Sequence, residues 1–198
     1  MDRSPIAVGQ RFEDFTYDTA WEQGSTLFQT LDKGKTIFIF SRYIGCPPCL
    51  LELMNLSKTY PKIKQAGGEL LVVMQSDPAI VRDTLDPGVS YKQEDGSSVF
   101  GREQMPFDLI LDPTMALYVK YGIPVAKNKL DLVSPSSLAK SKRASAMGLA
   151  HGAYEGEELQ FPATFLLDSD GTVLFAHIGR SFADYLSEDA LIKILTTG

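Results

Sequence analysis

The run Thr36-Ile-Phe-Ile-Phe40, with the cysteine pair just after it, constrains this chain more than any other feature. Five apolar, β-branched or aromatic residues stand without interruption between Gly34 and Ser41-Arg42. A strand buried on both faces reads this way, which points to the middle of a parallel sheet. Cys46-Pro-Pro-Cys49 comes next, and then Leu50, Leu51, Leu53, Met54, Leu56 and Tyr60 fall at helical spacing. Pro47 and Pro48 suit a first helical turn, where their missing N–H groups are not needed. Pro61 should kink or restart the helix, and Gly67-Gly68 should end it. Leu70-Leu-Val-Val-Met74 then reads as a second buried strand. Strand, helix and strand within about 40 residues make a βαβ unit with a right-handed crossover.

Around this unit the pattern is shorter-ranged. Residues 12–17 and 25–31 read as short β elements, separated by Gly24 and closed by Gly34. Residues 77–85 read as a helix and 107–111 as a strand. Residues 114–121 read as another helix, with Asp112 near its start. Residues 124–160 are polar, and the Ser/Lys/Ala composition of 134–147 suits a surface helix. Two apolar runs, 163–168 and 172–177, flank Ser169-Asp-Gly171, a strong hairpin signal. Residues 187–195 read as a terminal helix capped by Ser187. The whole of 1–198 reads as one domain, with 124–160 inserted.

Composition excludes several functions. The chain has 198 residues and a net charge of −6, so it lacks the basic face that nucleic acid requires. No apolar run approaches the ~20 residues of a membrane span. The opening Met1-Asp-Arg-Ser-Pro5 lacks the apolar segment of a secretory signal, which leads to the expectation of a cytoplasmic protein. Two cysteines are too few for a disulfide scaffold. At C-x-x-C spacing in a reducing compartment they read as redox-catalytic or metal-binding.

The position of the pair favours redox chemistry. Cys46 falls at a helix N-terminus, where unpaired N–H groups and the macrodipole stabilise a thiolate. Cys49 lies one turn inside, within reach of a mixed disulfide or sulfenic acid on Cys46, and its N–H is expected to face the Cys46 sulfur. Arg42, four residues upstream, adds positive charge. The bland alternative is two ordinary buried cysteines. A zinc site would need two further ligands, and His151 and His177 lie too far apart for the usual ligand spacing; each reads better as a structural or surface histidine. Tyr43 fits either an active-site wall or core packing. Lys127, Lys129, Lys140, Lys142 and Arg143 form a local basic cluster, read as a solvated helix face or a contact for an acidic partner or anionic substrate.

Together, the strand leading into Cys-Pro-Pro-Cys, the βαβ unit and the later Phe161-Pro-Ala-Thr-Phe-Leu-Leu-Asp-Ser-Asp-Gly-Thr-Val173 resemble the thioredoxin fold. That resemblance implies an α/β architecture: a central mixed β-sheet flanked by helices, an N-terminal β extension and an inserted helical and loop segment. It also implies a cis-proline at Pro162, beside the sulfurs. More narrowly, Gly9-Gln-Arg-Phe-Glu-Asp-Phe15, Met105-Pro-Phe-Asp-Leu-Ile-Leu-Asp-Pro113, Tyr121-Gly-Ile123 and His177-Ile-Gly-Arg-Ser-Phe-Ala-Asp184 resemble the peroxiredoxin-like branch of the alkyl hydroperoxide reductase/thiol-specific antioxidant family.

The family resemblance implies a thiol peroxidase cycling through a Cys46–Cys49 disulfide, without metal or cofactor. A peroxide would be the substrate and a thioredoxin or glutaredoxin the reductant. Arg180 matches a recurring arginine of the branch and would steady the thiolate or a peroxide oxygen, unless it is a solvated surface residue. The family's Pro-x-x-x-Thr/Ser-x-x-Cys is not intact. Counted back from Cys49, Cys46 and Arg42 hold the hydroxyl and proline positions; counted back from Cys46, Tyr43 and Ile39 hold them. A protein-disulfide oxidoreductase without peroxide chemistry, or a non-catalytic redox-sensing module, therefore remains open. The helix argument makes Cys46 the nucleophile, and alignment on the family motif makes it Cys49.

Overall fold

The computed structural model describes residues 4–94 and 96–197. The first three residues, on which the reading of the chain start partly rests, lie outside them. Five strands make the central sheet: β3 (Thr36–Phe40), β4 (Glu69–Met74), β7 (Asp108–Leu111), β8 (Ala163–Leu167) and β9 (Val173–Ile178). Their order is β7-β4-β3-β8-β9. The central strand β3 runs parallel to β4 and antiparallel to β8. The sheet is therefore mixed, although the unbroken apolar run suggests parallel neighbours. Burial on both faces is what the run reports; the direction of a neighbour leaves no mark in a strand's own residues.

Alternation along β3 divides the core. Ile37 and Ile39 point to the layer under α2 (Pro47–Gln65), α3 (Pro78–Leu85) and α6 (Glu188–Thr197). Phe38 and Phe40 point to the opposite layer, where the N-terminal segment and α4 (Ala116–Lys120) supply Phe12, Tyr118 and Tyr121. The Phe12 ring stacks on Tyr121 at 3.9 Å, and Phe40 meets Tyr118 edge-on at 5.0 Å. Such pairs add directional contacts to the area they bury.

Several elements differ from the sequence expectation. Only β1 (Thr16–Tyr17) and β2 (Ser25–Thr26) pair in the N-terminal extension, and Leu27–Leu31 forms a short helix, α1, instead of strand. A capping box explains it: the Gln29 N–H donates to the Thr26 hydroxyl, and the Thr26 N–H donates to the Gln29 side chain. Helix α2 runs through Pro61 without interruption. Burial of Leu56 and Ile63 on either side of the proline offsets the lost backbone bond. It ends as expected: Gly67 has φ +77°, and the Gly68 N–H reaches the Ile63 carbonyl at 3.0 Å. A hairpin of β5 (Val89–Gln93) and β6 (Gly96–Phe100) follows α3, where the sequence reading placed no element.

The segment 124–160 contains α5 (Pro135–Ala146), capped by Ser134. It is not simply a solvated surface helix. Ser137 and Ala144 are fully buried, and the Lys140 ammonium forms an ion pair with Glu52 of α2. Lys140 thereby leaves the solvated basic cluster to which its composition assigned it. Among the described residues, no helix is long and apolar enough to cross a membrane.

Candidate active site

Beyond the end of β3 the chain stays tied to the sheet before it turns. The Ser41 N–H donates to the Val73 carbonyl at 2.8 Å, and the Gln75 N–H to the Arg42 carbonyl at 2.9 Å. The Ile44 N–H donates to the Ser76 hydroxyl at 2.9 Å. Cys46 then caps α2, with Pro47 and Pro48 in the first turn. A disulfide joins Cys46 to Cys49, with Cα atoms 5.2 Å apart. Cys46 lines a cleft of about 570 Å³, whereas Cys49 is fully buried behind it and does not reach the wall.

One expectation for the pair fails. The Cys49 N–H does not face the Cys46 sulfur; it donates to the Cys46 carbonyl at 3.0 Å, as the Leu50 N–H does at 2.9 Å. The Cys46 side chain receives no capping hydrogen bond. With prolines at the next two positions, the first turn has spent its near donors on closing the helix. Arg42 supplies the charge instead. Its Nη1 lies 3.8 Å from Cys46 Sγ, and its Nη2 donates to the Glu158 carbonyl. Tyr43 and Phe182 present their rings to the guanidinium at 5.2 and 5.9 Å. The arginine is only 8% exposed, and its Nε has no partner. Among the described residues no carboxylate pairs with it, and a buried cation in that position gains from an adjacent thiolate.

The inserted segment closes this site. Its residues 150–160 lie as a strap across the loops after β3 and β4. The Gly152 N–H donates to the Gly45 carbonyl at 2.8 Å, and a β-carbon on Gly45 would overlap the Ala153 carbonyl oxygen. Glu155 accepts from the Ser76 hydroxyl at 3.0 Å and the Asp77 N–H at 2.8 Å. Gln75 bonds the backbone of Glu157 in both directions, at 3.1 and 2.6 Å. Tyr43 is buried, and burial raises its phenol above the ordinary value. Its hydroxyl lies 3.3 Å from Nε2 of His151, whose Nδ1 donates to the Gly152 carbonyl at 2.8 Å. Tyr43 is thus part of the cleft wall. The remaining wall is largely apolar, with Leu132, Val133, Leu149 and Leu159 from the same segment.

The other expected residues lie elsewhere. Among the described residues no peptide bond is cis, so Pro162 takes the trans form that X–Pro bonds favour by ~0.5–1 kcal/mol. It is buried, its carbonyl accepts from the Gly179 N–H at 2.8 Å, and it does not line the cleft. Its ring packs against the Gly179 backbone, where a β-carbon would clash with it. The Arg180 side chain is 92% exposed, pairs with Asp184 at 4.0 Å, and is absent from the cleft wall. His177 faces the same Asp184 at 3.4 Å. Among the described residues no cluster of His, Cys, Asp or Glu could hold a metal ion. Sequence reasoning missed His151 and Glu158 as site residues. The glycines at 45 and 152 were the available signal, because only their contact lets the strap approach.

Comparison with known proteins identifies the family and the fold. The model of the AhpC/TSA family matches residues 8–176. A comparison with curated proteins finds no match. The reduced 2-Cys peroxiredoxin of Plasmodium vivax superposes with a TM-score of 0.63 at 16% identity, covering 96% of this chain and 81% of that one. A cysteine-to-serine form of the peroxiredoxin 6 of Arenicola marina gives 0.66 at 16% identity, over 96% and 72%. A candidate thiol:disulfide interchange protein, DsbE, of Chlorobium tepidum gives 0.58 at 17% identity, over 96% of both chains. At such identities these likenesses establish the thioredoxin-like fold. The family match extends further: the chain belongs to the AhpC/TSA family and is a thiol oxidoreductase.

Proposed function

We propose that the protein reduces peroxides with Cys46 as nucleophile and Cys49 as resolving thiol. The observation that carries this reading is the placement of Cys46 on the cleft wall beside the Arg42 guanidinium, with Cys49 sealed behind it. A peroxide entering the cleft meets the Cys46 thiolate first. Sulfur attacks the nearer oxygen, the O–O bond breaks, and alkoxide or hydroxide leaves to be protonated, so Cys46 becomes a sulfenic acid. The Cys49 thiol then attacks that sulfur and water leaves, closing the disulfide. An external dithiol of the thioredoxin or glutaredoxin type reopens it by thiol exchange. A cycle driven by such a reductant belongs in a reducing compartment, and we propose the cytoplasm.

A second reading has its own support. In the register counted back from Cys46, the family's hydroxyl position is Tyr43, and its phenol bonds His151. Without that hydroxyl beside the thiolate, the pair suits exchange with disulfides without a peroxide step. Two coupled assays on wild type, Cys46→Ser and Cys49→Ser separate the readings: peroxide consumption with thioredoxin and its reductase, and reduction of insulin disulfides. Peroxide turnover lost in both variants is expected. Insulin turnover without peroxide turnover would overturn the peroxidase reading, and activity surviving only in Cys46→Ser would reverse the two cysteines.

A further inference from the structure

Of the large apolar side chains exposed among the described residues, Val8, Val99 and Val119 stand apart, whereas the others fall in the inserted segment. Leu130, Val133, Leu138 and Tyr154 are 83, 43, 57 and 65% exposed, and all belong to the inserted segment. Val133 and Tyr154 stand in the wall of the Cys46 cleft itself. Leu138 shares a face of α5 with Ser141 and Ser145, which also line the cleft, because residues three and four apart lie on one side of a helix. Lys142 lies on that face too. Lys129, 83% exposed at its side chain and paired with Glu158 at 3.5 Å, also lies on the rim. Besides Lys140, already paired with Glu52, helix α5 carries Lys142 and Arg143 and no acidic residue, in a chain whose net charge is −6. An exposed apolar cluster rimmed by polar groups marks an interaction site, and here cations stand against the sign of the molecule.

We infer that this rim is the docking surface for an acidic dithiol protein that reduces the Cys46–Cys49 disulfide. The inference rests on the redox cycle proposed above and names where its reductant binds. Cys49 is sealed, so an external thiolate reaches the disulfide only through the cleft mouth, at Cys46 Sγ. That thiolate attacks Cys46, the Cys46–Cys49 bond breaks, and Cys49 departs as a thiolate that takes up a proton. The partner's second thiol then attacks its own sulfur in the mixed disulfide and releases Cys46 as thiolate. Two electrons pass to this protein and the partner leaves as a disulfide. The apolar rim seats the partner's active-site loop, and Lys142 steers its acidic surface.

The test compares wild type with Leu138→Glu/Lys142→Glu and with Lys142→Arg, using thioredoxin, its reductase and NADPH as the electron source. In the double variant the KM for thioredoxin should rise at least about tenfold, while turnover supported by dithiothreitol stays within about twofold. The Lys142→Arg variant should keep the wild-type KM, and the wild-type KM should rise with salt. An unchanged KM in the double variant overturns the docking surface. So does a wild-type dimer that the double variant dissociates, since the rim would then serve a second copy. Equal support by a tripeptide thiol, insensitive to the rim, also overturns it. Failure of the peroxidase reading shows separately, as no peroxide turnover even with dithiothreitol. Docking is then read directly from the rate at which thioredoxin lacking its second cysteine forms a mixed disulfide with Cys46, expected to fall about tenfold in the double variant.

Discussion

Replacing Arg42 by glutamine removes a positive charge held 3.8 Å from the Cys46 sulfur while leaving a donor for the Glu158 carbonyl. Two unit charges at that separation interact by about 4 kcal/mol at an effective dielectric constant of about 20, and by about 2 kcal/mol if water in the cleft doubles it. Without that attraction the Cys46 thiol should rise in Arg42→Gln, toward the ordinary value near 8.5. The thiolate fraction at neutral pH, and with it the rate of reaction with peroxide, should fall by roughly 10- to 30-fold. The titration is followed in the reduced Cys49→Ser background, so that one thiol is observed, by thiolate absorbance and by alkylation rate against pH. A Cys46 pKa that moves by less than about 0.5 unit would refute the electrostatic role of Arg42 and return the thiolate's stabilisation to the helix terminus.

Three further outcomes rest on the packing. Lys140→Ala leaves Glu52 buried without its cation and should cost about 3–5 kcal/mol in urea unfolding, whereas Lys140→Met/Glu52→Leu should recover most of it. Gly45→Ala sets a β-carbon against the Ala153 carbonyl, pushes the strap off the Gly45 loop and should destabilise by about 1–3 kcal/mol, with faster hydrogen exchange at the Gly152 amide. The Tyr60 phenol is pushed up to about 12, first by burial and then by Glu69. Its neutral form is favoured in the fold, so its contribution is complete below pH ~10 and is lost as pH rises toward 12. Tyr60→Phe should therefore flatten the alkaline limb of stability measured by denaturant unfolding.

Much of the scaffold is legible because it rests on local pattern. The buried run Thr36–Phe40, the proline-opened helix and the Gly67 stop each arise from a residue's own conformational or apolar demands. The Thr26–Gln29 capping box is equally local, and its threonine and glutamine three residues apart are a helix signal that outweighs the strand reading of 25–31. Where two demands compete, as at Pro61, packing decides and local propensity loses.

The two cysteines, their spacing and their junction between strand and helix determined by themselves that this chain carries a thiol redox pair. The sequence offered both the helix terminus and Arg42 to stabilise the thiolate, and the tertiary structure decided which of them reaches the sulfur. Backbone geometry turns the Cys49 N–H onto the Cys46 carbonyl, and long-range packing on Phe182 and the Glu158 carbonyl brings Arg42 to the sulfur. The same holds for Arg180, matched by sequence position yet turned to solvent. Residues 124–160 were unreadable for a related reason. Their polar composition reports exposure of the outer face, whereas their task depends on Gly152, Glu155 and Glu158 meeting Gly45, Ser76 and Arg42. Contacts between segments more than 70 residues apart leave no periodicity in either one, so only the folded chain reveals them.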